Sequence, residues 1–98
     1  MSTPKAISAP AGLALRLYVA GNAPNSLMAA ANIKAICHAH FAAGYELEIV
    51  DLLRHPQRAL ADGIIVTPTL VKLSPLPVQR VVGNLNDTSQ VLRILANE

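Results

Sequence analysis

Three groups of residues in this chain have types and spacings that can do chemistry. Cys37-His38-Ala39-His40 offers a thiol and two imidazoles, which are zinc ligands by type. On a helix, Cys37 and His40 share a face while His38 points elsewhere, so two ligands at most converge where a closed zinc site needs four. The reading is therefore no metal, with Cys37 a core residue and the histidines solvated near a helix C-terminus. Asp51, close to Arg54 and His55, is an acid without a nucleophile or second acid beside it, so a surface pair or helix cap accounts for it better than a general base. The third group is "GNAPNS", Gly21 to Ser26, where an apolar run turns through Gly21 and Pro24 into a helical segment. A dithiol redox window needs a cysteine at each end of four residues, one to attack and one to resolve the mixed disulfide. Asn22 and Asn25 occupy those ends, and an amide is not a nucleophile.

The elements that position these groups follow from the apolar pattern. Leu13, Leu15, Leu17 and Val19 alternate with Ala14, Arg16, Tyr18 and Ala20, a strand period. From about Asn25 to Ala43 no glycine or proline intervenes, and Leu27, Ala30, Ile33, Cys37 and Phe41 recur at helical spacing with Ile36 beside them. Pro24 or Asn25 can start this helix, with asparagine amides as caps, and Gly44 can end it. Glu46 to Leu53 reads as a second strand, which makes a right-handed βαβ unit with parallel strands. His55 to Gly63 suits one or two helical turns, with Pro56 first and Asp62-Gly63 as the exit. Thr69 to Ser74 and Val78 to Gly83 are short antiparallel strands, and Asp87 with Gln90 at capping-box spacing opens a terminal helix. The order β-α-β-α-β-β-α, an α/β fold with a mixed four-stranded sheet, is that of a thioredoxin-like domain. In that fold, Pro68 of "VTPTL" is the candidate cis-proline facing the helix N-terminus.

Composition narrows the function classes. With 98 residues, 52% of them apolar and 14% charged, the chain is one globular domain rather than a disordered one. Three aromatics, Tyr18, Phe41 and Tyr45, and eight Lys and Arg against six acidic residues argue against nucleic acid. Cys37 is the only cysteine, which excludes an internal disulfide and fits a reducing cytoplasm. Residues 1–12 read as a flexible lead-in to a domain over 13–98. The run "LALRLYVA" is too short for a membrane span and carries Arg16. Arg54, His55 and Arg58 form a small basic cluster that suits an acidic partner or simple solvation.

"LRLYVAGNAPNS", "VDLLRHPQ", "VTPTLVKL" and "PVQRVVGNL", in this order from about Leu13 to Leu95, resemble the KaiB family of circadian-clock proteins. The N-terminal sensory domain of the clock histidine kinase SasA is a related thioredoxin-like module. The resemblance implies a non-enzymatic protein without a cofactor that binds the N-terminal ATPase ring of KaiC. It also implies a family that switches between a tetrameric ground fold and a monomeric thioredoxin-like fold. Switching members can carry glycine and aspartate where Ile94 and Ala96 stand; because glycine costs up to ~1 kcal/mol inside a helix and isoleucine roughly half that, the thioredoxin-like state is expected to dominate. Lys72 and Arg80 keep the family's character and are candidates for electrostatic contact with KaiC. Glu48 stands where a lysine is common, Met28 replaces a basic residue, and Gln79-Arg80 replaces a basic pair, changes that alter partner choice more readily than fold. The alternatives are a monothiol oxidoreductase using Cys37, which a mid-helix apolar position opposes, and a kinase-sensing domain. Oligomeric state stays open.

Overall fold

The computed structural model describes residues 12–96, so the expected lead-in lies outside the described residues except for Gly12. A four-stranded sheet runs through the domain in the order β2-β1-β3-β4, with β1 at Ala14–Val19, β2 at Glu46–Asp51, β3 at Thr69–Ser74 and β4 at Gln79–Val82. β1 pairs parallel to β2 and antiparallel to β3, and β4 is antiparallel to β3. The three helices are α1 at Pro24–His40, α2 at Gln57–Asp62 and α3 at Thr88–Leu95. This is the thioredoxin-like order.

Strand alternation divides the side chains between two faces. Leu13, Leu15, Leu17 and Val19 enter the larger core with Leu70, Val81, Leu85, Val91 and Leu95, and α1 contributes Ala29, Ile33, Ile36 and Cys37. Tyr18, Val50, Ile64 and Val71 form a smaller cluster on the opposite face. Asp87 caps α3, its Oδ1 accepting from the Gln90 amide at 3.1 Å. Leu85, just before it, is buried at a left-handed φ of 64°, a conformation that a non-glycine residue keeps only where packing holds it.

Two helical expectations need correction. α1 ends at His40 rather than at Gly44, because Phe41 leaves helical geometry while its amide still bonds the Cys37 carbonyl at 2.8 Å. Its buried stripe is Ser26, Ala29, Ile33, Ile36 and Cys37, so Leu27 is exposed. The small residues Ser26 and Ala29 lie against the sheet, which fixes the helix phase and turns Leu27 and Met28 outward.

Candidate partner-binding surface

The turn between β1 and α1 is built without the thiols its fold position accommodates. Gly21 takes a left-handed φ of +55°, which favours glycine, and a Cβ there would lie 2.9 Å from Cδ1 of the exposed Leu53, which would have to move aside. Pro24 occupies the first helical turn, where its missing N–H leaves no bond unmade. Neither asparagine caps: the cap residue is Ala23, without a side-chain hydrogen bond. Instead Ser26 Oγ reaches back and accepts from the Ala20 amide at 3.1 Å. Asn22 and Asn25 are left exposed.

Cys37 lies thirteen residues along α1 from Pro24, about 20 Å at the rise of an α-helix, and is fully buried. Burial pushes its thiol up to about 11. At neutral pH almost no thiolate exists there to attack anything. His38 and His40 are exposed, while Cys37 faces the core.

Asp51 closes the turn from the other side. Its Oδ1 accepts from the amides of Gly21 and Leu53, each at 2.9 Å. These two bonds, the Gly21 one foremost, hold its carboxyl below the ordinary aspartate range, with Arg54 and His55 adding favourable charge. The carboxylate ties together two chain segments.

Past Asp51, the chain between β2 and β3 turns apolar side chains to water. Leu60 and Ile65 are 90% and 94% exposed, and Leu53 and Val66 are exposed as well. Pro68, whose bond to Thr67 is cis, ends this segment and is buried. Together with the 21–25 turn, this segment is the candidate surface.

The expected contact residues fall in four different environments. Arg54 is exposed beside Leu53. Arg80 is exposed but occupied: its Nη1 donates to the Gly63 carbonyl at 2.8 Å and its Nη2 to the Asp62 carbonyl at 2.9 Å, clamping the end of α2. Glu48, on the edge strand β2, accepts from Arg16 Nε at 2.7 Å and lies 3.7 Å from Arg58 Nη1. Lys72 corrects the expectation of a surface cation. It is 1% exposed, because the β1–β3 register sets it opposite Leu15, on the helix-covered face. Ile94 lies in α3 and Ala96 forms its C-cap.

Sequence reasoning did not find the link between Tyr18 and Asp62, in which the Tyr18 hydroxyl donates to Asp62 Oδ2 at 2.6 Å and accepts from Arg16 Nη1 at 3.3 Å. The available signal was the alternation itself, which puts Arg16 and Tyr18 on one face with Glu48 and Val50 as their register partners.

Comparison with known proteins agrees with this architecture. The model of the KaiB domain matches residues 16–97. The circadian clock oscillator protein KaiB of Synechococcus elongatus is 49% identical over 78 residues, 80% of this chain and 76% of that protein. The solution structure of the N-terminal domain of Synechococcus elongatus SasA superposes with a TM-score of 0.73 at 27% identity, over 100% of this chain and 94% of that one. Chloroplastic thioredoxin z gives 0.72 at 18% identity, over 93% and 81%, a likeness of fold alone. No helix among the described residues is long and apolar enough to cross a membrane. With a family match across most of its length and a frame shared with thioredoxins but not their dithiol, the chain belongs to the KaiB family.

Proposed function

We propose that this chain is a non-enzymatic, cytoplasmic clock or signalling protein that docks on the N-terminal ATPase ring of a KaiC-type protein and regulates its output. The observation that carries this reading is the exposure of Leu53, Leu60 and Ile65 on one segment, whose Leu53 side chain approaches the thiol-free turn at Gly21. Large apolar side chains held in water on a segment that starts at the fold's reactive position suit recognition, and a buried Cys37 does not suit chemistry. Arg54 supplies charge at the same surface. Glu48 and Arg80 act by holding the segment in place, and Lys72 acts from inside the core. The thioredoxin-like state is the resting one, with Ile94 and Ala96 favouring α3.

Size-exclusion chromatography with a KaiC ring tests the proposal. The wild type should co-elute with the ring, and a variant carrying Arg54→Glu and Ile65→Asp should elute alone. A wild type that never joins the ring overturns the reading. The likeness to the SasA N-terminal domain favours a second reading, recognition of a histidine-kinase core. On the same column it predicts co-elution with the kinase core and none with the ring.

A further inference from the structure

The chain from Leu52 to Thr67 crosses the Tyr18 face of the sheet, and little of its attachment is apolar. α2 buries no residue, and Ile64 is the one side chain of the segment that is buried. Polar groups supply the rest. At the start, Asp51 Oδ1 holds the Leu53 and Gly21 amides. In the middle, Asp62 Oδ2 is met by the Tyr18 hydroxyl at 2.6 Å, Arg58 Nε at 3.2 Å and Arg16 Nη1 at 4.0 Å. Glu48 on β2 takes the other side of both guanidiniums. At the end, Arg80 from β4 holds the Asp62 and Gly63 carbonyls. Asp62 is thus gripped through its side chain by β1 and α2, and through its backbone by β4.

We propose that residues 52–67 form a strap that opens as a unit, latched to the sheet through Asp62, while the helix-covered core stays folded. The physical basis is the difference between the two kinds of attachment. Apolar burial in the α1–α3 core is cooperative and insensitive to salt, whereas partly exposed ion pairs weaken as ions screen them. The least stabilised segment is the first to open, and the apolar cost of opening here is one buried isoleucine and the partly buried Leu52. Release uncovers Tyr18, Val50 and Val71 and carries Leu60 and Ile65 away with the strap. Partner surface and latch are therefore one device. The strap does not depend on which partner binds.

Amide hydrogen exchange at neutral pH tests this, with Gly63 and Ile64 reporting on the strap and Leu15 and Leu17 on the sheet. In Asp62→Asn the two strap amides should exchange about tenfold faster and the two sheet amides at the wild-type rate. Raising NaCl to about 1 M, where screening acts over about 3 Å, should move the wild type in the same direction. If Asp62→Asn unfolds the domain, Arg80→Gln decides, since it removes only the backbone clamp from an exposed position. Strap amides that speed up alone in Arg80→Gln support the latch. Strap amides that stay at the wild-type rate, or that move together with the sheet amides, overturn it.

Discussion

On one side of the sheet, Ile33, Ile36 and Cys37 of α1 and Val91 and Leu95 of α3 join Leu15, Leu17, Leu70 and Val81 in a single apolar cluster. On the other, Ile64 and the partly buried Leu52 come from the strap to meet Tyr18, Val50 and Val71, and an ionic lattice completes the cover. One sheet is therefore closed by two kinds of force. The apolar side carries the stability of the domain, and the polar side fixes where the exposed Leu60 and Ile65 stand. Under the proposed binding role, this division lets the exposed segment loosen without loss of the fold.

Neighbouring residues on β1 give the largest contrast. Leu17 is fully buried in the apolar cluster, so Leu17→Ala should cost about 2–5 kcal/mol through lost transfer energy and the cavity left behind. Tyr18→Phe keeps the ring and removes the hydroxyl that Asp62 accepts from, and should cost about 1 kcal/mol. Urea denaturation of the two variants measures both. Equal losses would mean that the two faces are built alike.

Within the apolar side itself, the helix-propensity contribution alone is small. Ile94→Gly places glycine inside α3 and, with roughly half of its ~1 kcal/mol helix penalty already present in isoleucine, should weaken the helix by about 0.5 kcal/mol before the lost packing of Ile94 against the core is counted. Combined with Ala96→Asp, it should make a second, slowly exchanging set of NMR signals appear for the second half of the chain. The wild type should show one set. Two comparable sets in the wild type would contradict the proposed resting state.

The apolar side was legible in the sequence and the latched side was not, for identifiable reasons. The period of two in Leu13 to Ala20 and the glycine-free run after Pro24 are local signals, and they placed β1 and α1 to within a few residues. The phase of α1 was misread because Leu27 outranks Ser26 in hydrophobicity, while close packing on the sheet favours the smaller residue. Lys72 looked like a surface cation because lysines seldom lie buried; only the register with Leu15 reveals its place. The Tyr18–Asp62 bond joins residues 44 apart, and no local pattern encodes such a pair. Arg54 was legible as an exposed charge. The exposure of Leu60 and Ile65 was not, since a short apolar stretch gives no sign of which face will be covered.

Acid should separate the two faces most finely. The Tyr18 hydroxyl foremost, and then Arg58 and Arg16, hold the Asp62 carboxyl below its ordinary value; the Gly21 and Leu53 amides do the same for Asp51. A carboxylate whose folded-state pKa is lowered binds fewer protons in the folded than in the unfolded chain near pH 4. Its stabilisation is therefore fully present above the ordinary aspartate range and is lost as pH falls through that range and below it. Urea midpoints of the wild type should hold level from neutral pH to about 5 and decline below about 4. Asp62→Asn should start from a lower midpoint and decline less steeply, because one of the two carboxylates held below their ordinary value is gone. Leu17→Ala should start lower still and keep the wild-type slope, since nothing it removes takes up a proton. An Asp62→Asn curve parallel to the wild type would show that the strap's anchor draws nothing from the charge of Asp62.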